Sequence, residues 1–258
     1  MQLTFYKYQG TGNDFVMIDN RQLIFDKNDT KRIAFLCDRR FGIGADGLIL
    51  LEQHKTADFK MVYFNADGHE SSMCGNGGRC ITAFANYLGI IKDSATFEAI
   101  DGLHEATIDA DAIVSLKMQD VLTLENHNTH VFLNTGSPHH VQLETQLETL
   151  DIKSKGSKIR FGSPYFEAGS NVNFVSKNAT DNFSVRTYER GVEDETLSCG
   201  TGVTAVALAM HYIGETEKNL ITLQTQGGLL NVSFEKASEG YKNIWLIGPA
   251  IQVYKGEI

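Results

Sequence analysis

The chain has 258 residues, enough for one large domain or two of roughly 130 each. Its apolar share of 42% can bury a real core, and its 23 basic against 32 acidic residues leave a net charge of −9 with no long basic block. That balance argues against nucleic acid or an anionic membrane as a main partner. No apolar run is long enough to cross a bilayer, and "MQLTFYKYQG" does not read as a signal peptide. The four cysteines (Cys37, Cys74, Cys80, Cys199) point to a reducing cytoplasm rather than a disulfide framework.

In chain order, "LTFYKYQ" and "DFVMID" predict strands, "TKRIAFLCDR" a helix, and "LILLE" and "FKMVYF" buried strands. Residues 75–88 predict a helix stopped by Gly89, and "AIDGLHEA" two short strands joined by a glycine turn. "MQDVLTLENHN", near 118–128, turns polar and marks a join. "QLETQLET" (142–149) reads as a solvated helical face, and "KSKGSK" (153–158), the densest basic stretch, as a solvated loop. Residues 200–213 predict a second helix, stopped by Gly214. Its "VTAVALAMHYI" is apolar on almost every face, so it should be sunk inside its lobe. "QTQGGLLNV" repeats the strand–turn–strand pattern, and "AIQVYKGEI" is expected to return to the first lobe as a strand.

Much of this list occurs twice. "YFNADGHESSMCGNGGRCITAFANYLG" (63–89) lies over "YERGVEDETLSCGTGVTAVALAMHYIG" (188–214) without a gap, matching Cys74-Gly75-Asn76-Gly77 to Cys199-Gly200-Thr201-Gly202. "TGNDFVM" (11–17) pairs with "TGSPHHV" (135–141), and residues 95–109 pair with 221–235, in the same order and at nearly the same offset. The chain therefore predicts an α+β fold of two pseudo-symmetric lobes related by duplication, each a strand-rich sheet around a central helix. The lobes are expected at 1–118, with 249–258 returning, and at 119–248.

Each copy places a cysteine at a helix start. Backbone N–H groups lack partners there, and the peptide dipoles leave partial positive charge, which eases ionisation of a thiol. The adjacent glycines let a carboxylate or phosphate come close to those N–H groups. If the lobes face each other, both thiols converge on one cleft, with sulfurs on the order of 6–7 Å apart. One would take a proton from a carbon while the other returns one to the opposite face, inverting the centre. The helix starts would grip the carboxylate and stabilise the developing charge.

"GTGNDFV", "GIGADG", "FNADGHESSMCGNGGRC", "GSPHHV", "GSNVNFV" and "YERGVEDETLSCGTG", in order along nearly the whole chain, resemble the diaminopimelate epimerase family. These are cofactor-independent two-thiol epimerases of lysine and peptidoglycan biosynthesis. The resemblance implies a cytoplasmic enzyme that interconverts LL- and meso-2,6-diaminopimelate without pyridoxal phosphate, metal or nucleotide. It implies Cys74 in the proton-donor slot and Cys199 in the acceptor slot, with His139 and Glu189 assisting the thiols. Gly75-Asn76 and Gly200-Thr201 would hold the carboxylate of the reacting centre. Asn13, Asn65, Asn171, Glu189 and Arg190 would recognise the substrate, especially its far amino-acid end; Arg190 can fork onto a carboxylate and Glu189 can pair with an ammonium. A homodimer follows from family likeness alone. The chain departs from the family pattern at Ser137, where asparagine is frequent, and at Gly47, where glutamine is; a contact at Gly47 would have to be backbone, water or absent.

Cys37 and Cys80 read as core residues. The four cysteines contain no C-x-x-C pair to support zinc, and "HNTH" (His127, His130) reads as a polar loop rather than a metal site. "GNGGR" lacks the ending of a phosphate loop. Two alternatives remain open: a racemase of a smaller amino acid in the same superfamily, and a dithiol redox protein using Cys74 and Cys199.

Overall fold

Glycine-bounded apolar runs build the first unit. In the computed structural model, which describes residues 2–179 and 181–258, β1 (Thr4–Gly10) turns through Thr11 and Gly12, at φ 51° and 87°, into the antiparallel β2 (Asn13–Asp19). α1 (Thr30–Cys37) is capped by Asp29, whose carboxylate accepts from Arg32 N. β3 (Gly47–Glu52) lies parallel to β2, with Phe15 beside Gly47. Every residue of β3 is buried, as expected of a continuous apolar strand covered on both faces. β4 (Phe59–Asn65) pairs antiparallel with β3.

α2 (Gly75–Tyr87) is buried without a break from Gly75 to Ala85 and packs on β1, β2 and β3. Gly89 then takes φ 69°, the left-handed turn that ends a helix without penalty in glycine. β5 (Ser94–Ala99) runs parallel to β4, β6 (Gly102–Ile108) returns antiparallel to it, and β7 (Ile113–Lys117) follows.

The chain divides at Leu116/Lys117 and again at Ile247/Gly248, so Lys117–Ile247 form a second unit and Gly248–Ile258 belong with the first. The second unit comprises β8 (Leu124–Asn126), β9 (Val131–Asn134), β10 (Pro138–Leu143), α3 (Ile152–Phe161), β11 (Asn171–Ala179), β12 (Asn182–Glu189), β13 (Asp194–Thr196), α4 (Gly200–Tyr212), β14 (Leu220–Thr225), β15 (Gly228–Lys236) and most of β16 (Tyr241–Pro249). Its pairings run antiparallel, parallel, antiparallel, parallel, antiparallel, antiparallel along β9–β10–β11–β12–β14–β15–β16. β1 to β7 show the same sequence of pairings. β17 (Ile251–Glu257) lies antiparallel to β1, Thr4 beside Glu257, as β8 lies beside β9. The fold is thus α+β, with one topology used twice and a buried helix in each unit. Cys37 and Cys80 are core residues at 3% and 0% exposure. No helix among the described residues is long and apolar enough to cross a membrane.

Two sequence expectations are corrected. "KSKGSK" is helical within α3: Asp151 caps it by accepting from Ser154 N, Lys158 and Arg160 sit in its last turn, and Gly156 lies against Tyr188 where a Cβ would come within 2.4 Å. "QLETQLET" is not a helical face. Gln142 and Leu143 end β10, held in register on Phe174 and Val175 of β11, and only Leu147–Thr149 make a single 3-10 turn. Strand pairing outweighs the helical spacing of its leucines.

Candidate functional site

α2 and α4 begin alike. Cys74 (φ −106°, ψ 130°) and Cys199 (φ −118°, ψ 112°) are their extended N-cap residues. Neither side chain caps its helix, unlike Asp29 and Asp151 at α1 and α3. A cap that does not occupy the first-turn amides suits those amides to an anionic ligand. Cys74 is half-buried and Cys199 is 8% exposed; neither is in a disulfide.

In the first unit the turn after β1 reaches the cysteine. Asn13 Oδ1 accepts from the Cys74 thiol (3.5 Å) and from Asn76 Nδ2 (3.3 Å), while Asn13 Nδ2 donates to Asp46 (2.7 Å). Asp46 shares Arg39 with Asp14, which Lys7 also meets at 2.7 Å. Burial pushes the Asp14 carboxyl up, but hydrogen bonds from Arg39 and Lys7 overcome it and hold it at about 2. The substrate-binding candidates Asn13, Gly75 and Asn76 therefore surround Cys74. Asn65, exposed, ends β4 opposite Gly47. A Cβ at Gly47 would lie 2.4 Å from the Phe64 carbonyl and 2.6 Å from the Tyr63 ring, so the tyrosine fills the space that a longer side chain would need.

In the second unit, Cys199 Sγ lies 3.5 Å from Thr201 Oγ1, and Thr135 Oγ1 donates to the Thr201 carbonyl (2.9 Å). Beneath the helix start, Asn173 Nδ2 donates to the His140 carbonyl (3.2 Å), and Asn173 Oδ1 accepts from Thr187 (3.0 Å). A carbonyl can only accept, so the amide is oriented, and its Nδ2 must also donate to His139 Nδ1 (3.1 Å). The His139 proton therefore sits on Nε2, which has no partner among the described residues. Complete burial, and then the charge of Arg190, push His139 down to about 3, so it is a neutral imidazole at ordinary pH.

Asn171 joins neighbouring candidates: its Nδ2 donates to Ser137 Oγ (2.8 Å), and its Oδ1 accepts from Arg190 N (2.9 Å). The Arg190 guanidinium donates to the Ala168 carbonyl (2.9 Å), and Glu189 accepts from Thr196 (2.8 Å). So His139, Asn171, Glu189 and Arg190 gather at the ends of β10, β11 and β12, near Cys199, Gly200 and Thr201 of the same unit. Sequence reasoning missed Asn173, Thr187, Thr135 and Thr196. Asn173 had a signal, because it lies two residues from Asn171 and so on the same face of the strand.

The loop of His127 and His130 holds stacked rings, His127 on His130 at 4.6 Å and His130 on His140 at 4.0 Å. Among the described residues, no group of three or more His, Cys, Asp or Glu is placed to hold a metal ion.

This doubled architecture is a known fold. It matches a Bacillus anthracis phenazine biosynthesis protein of the PhzF family (TM-score 0.80, 13% identity, 100% of this chain and 99% of that one). It also matches a hydroxyproline epimerase from Agrobacterium vitis (TM-score 0.69, 15% identity, 100% and 92%). A family model described as diaminopimelate epimerase matches residues 5–122 and 131–253. Proteins named diaminopimelate epimerase from Flavobacterium psychrophilum and Chlorobaculum tepidum are 59% and 44% identical, over 98% and 96% of this chain and 99% and 98% of their own lengths. The chain belongs to the diaminopimelate epimerase family, and it is an isomerase.

Proposed function

We propose that the chain interconverts LL- and meso-2,6-diaminopimelate, using Cys74 and Cys199 as its two acid/base groups and no pyridoxal phosphate, metal or nucleotide. One observation carries the residue assignment: each unit presents a cysteine as the N-cap of a buried, glycine-led helix. In one direction a thiolate takes the α-proton while the opposite thiol delivers its own, leaving the two sulfurs with exchanged protonation and the carbon inverted. The α-carboxylate lies on the first-turn amides of Gly75-Asn76 and Gly200-Thr201. Their fixed dipoles stabilise the charge that builds as the α-proton leaves.

Asn13, Asn65, Asn171, Glu189 and Arg190 bind the substrate, with Arg190 on the distal carboxylate and Glu189 toward an ammonium. The Ser137–Asn171–Arg190 chain of hydrogen bonds supports that role, because it fixes Asn171 and the Arg190 backbone together. His139, neutral and protonated on Nε2, assists as a hydrogen-bond donor rather than as a proton acceptor. The site needs only the small-molecule substrate and works in the cytoplasm; a homodimer is its proposed assembly.

The test is incubation of the reduced enzyme with LL-diaminopimelate in heavy water without added cofactor. The meso form should appear with deuterium at one α-carbon, and Cys74→Ala or Cys199→Ala should abolish its appearance. A dependence on pyridoxal phosphate, or turnover in either variant, defeats the reading.

A further inference from the structure

Arg160, in the last turn of α3, is 8% exposed, and its guanidinium is shared between two segments of the second unit. Nη1 donates to the Phe166 carbonyl (3.1 Å), in the loop that leads into β11. Nε and Nη2 each meet Glu193 Oε1 at 3.1 Å, in the turn between β12 and β13. Gly191 N of that turn donates to the same oxygen (3.1 Å), and Glu193 N closes the turn on the Glu189 carbonyl (2.8 Å). Gly169 passes close against the guanidinium; a Cβ there would lie 2.1 Å from Nη1.

Both segments need holding. Phe166 and Glu193 are non-glycine residues at φ 46° and 59°, a region that such residues seldom occupy unless the surrounding structure fixes them. In the gapless match of 63–89 to 188–214, Glu193 falls on Gly68, which takes φ 88° freely. Where the first unit makes its bend with glycine, the second makes it with a residue whose carboxylate meets Arg160. Burial pushes the Glu193 carboxyl up, but hydrogen bonds from Gly191 N and then Arg160 outweigh it and hold it below the usual carboxylate range.

The same two segments hold Arg190. Its backbone N–H, at the start of the turn, donates to Asn171 Oδ1 (2.9 Å), and its guanidinium donates to the carbonyl of Ala168 (2.9 Å), two residues past Phe166. Arg160 therefore ties the base of Arg190 to the carbonyl that steers its tip. We propose that Arg160 and Glu193 are positioning residues that set the reach of Arg190 toward the distal carboxylate, and so the selectivity for a substrate carboxylated at both ends. The proposal rests on the reading of Arg190 as the group on that carboxylate. A guanidinium fork binds best when both of its hydrogen bonds are aligned, so drift of either segment weakens its grip. Among the described residues Arg160 hydrogen-bonds only to these two segments, so its effect should pass through Arg190.

The test is a double-mutant cycle on kcat/KM for LL-diaminopimelate, with the full-length, reduced protein. Arg160→Gln should lower kcat/KM about tenfold, the cost of a misplaced binding group rather than a lost one. In an Arg190→Ala background the same change should cost less than about twofold, because no guanidinium is left to place. A merely structural Arg160 would cost the same factor in both backgrounds. Should Arg160→Gln fail to fold by circular dichroism, Glu193→Ala, on the half-buried turn, decides by the same two measurements, with about a three- to tenfold loss expected.

The proposal is overturned if the folded variant keeps wild-type kcat/KM, or if its loss beside Arg190→Ala is about twofold or more. Arg190→Ala alone reads the distal assignment. If that change leaves kcat/KM intact, the assignment fails and the clamp has nothing to position. If it costs roughly 10²-fold and the second change adds its full factor, only the clamp falls.

Discussion

Gly77 and Gly202 occupy one position in α2 and α4, three residues past the cysteine, yet they meet different neighbours. A Cβ at Gly77 would touch flexible apolar tips, Ile49 Cδ1 at 3.1 Å and Met61 Cε at 3.2 Å, with the Phe15 ring at 3.6 Å. A Cβ at Gly202 would strike Asn173 Oδ1 at 2.5 Å, an atom already tied to Thr187. The same contrast runs through each floor. Phe15 and Val16 of the first unit stand where the second has His139 and His140, and Arg79 stands where it has Thr204. The first helix start therefore rests on hydrocarbon, with Arg79 sealed into its second turn, and the second on an oriented hydrogen-bond network. Duplication preserved the backbone that presents a thiol and left the two supporting layers to diverge.

Removal of either thiol should have the largest effect. Cys74→Ala and Cys199→Ala should each lower epimerisation by on the order of 10²–10⁴-fold or more, since each removes one of two obligatory proton transfers. The rate of meso-product formation checks this, and one tolerated variant would make the two helix starts unequal in kind rather than in degree. Next comes the distal end. Asn65 and Arg190 are equivalent positions, but only Arg190 carries a charge and a network through Asn171 and Ala168. Arg190→Ala should cost roughly 10²-fold in kcat/KM, the scale for a charged hydrogen bond lost from a specific contact, and Asn65→Ala clearly less. A racemase of a smaller amino acid would scarcely notice the arginine's loss.

Gly202→Ala and Gly77→Ala sharpen the contrast of floors. Gly202→Ala forces Asn173 or the helix start to move, a strain of about 1–3 kcal/mol, and should lower kcat/KM about tenfold or more. Gly77→Ala displaces only the ends of Ile49 and Met61 and should stay within about threefold. Equal losses would mean that the Asn173 network contributes nothing to the placement of Cys199. Thr196→Val falls between the two, removing the hydroxyl that Glu189 accepts from at 2.8 Å; a fall of about three- to tenfold in kcat is expected, restored by Thr196→Ser.

How much of this was legible follows from where the signals lay. The strand pairs and both buried helices were, because glycine punctuates each end and the second helix is apolar on nearly every face. The cysteine-led starts were, because the pattern is written twice. α3 was not: the lysines of "KSKGSK" conceal that Gly156 is there to admit Tyr188, a contact made by a residue 32 positions away. Nor was the layer under the thiols. Arg79 looks like an ordinary surface charge in "GNGGRC", and only its position against β1 shows that it is sealed in. Asn173 and Thr187 look like polar interruptions of strands until the antiparallel register sets them side by side.

The smallest effect at neutral pH concerns acid. His139 and His140 are the only histidines buried among the described residues, and burial brings them from 6.5 to about 3 and about 4. Below about pH 6.5 the unfolded chain binds protons at both that the folded protein refuses. Stability is therefore lost as pH falls from there toward 4, by up to about 1.4 kcal/mol per pH unit for each group. The first unit's Asp14 works in a lower window: its stabilisation is complete above 3.8 and is lost as pH falls through about 2. Hydrogen exchange at pH 7 and pH 5, corrected for intrinsic rates, should show β10 and β11 opening more readily at the lower pH, with β2 and β3 nearly unchanged. His140→Val, which installs the residue found at position 16 of the first unit, should flatten that dependence even though it forfeits the hydrogen bond between His140 and Tyr165 (2.9 Å). Equal acid sensitivity in the two units would mean that the buried imidazoles are solvated through a path the static packing does not contain, and that the two floors differ in shape but not in electrostatics.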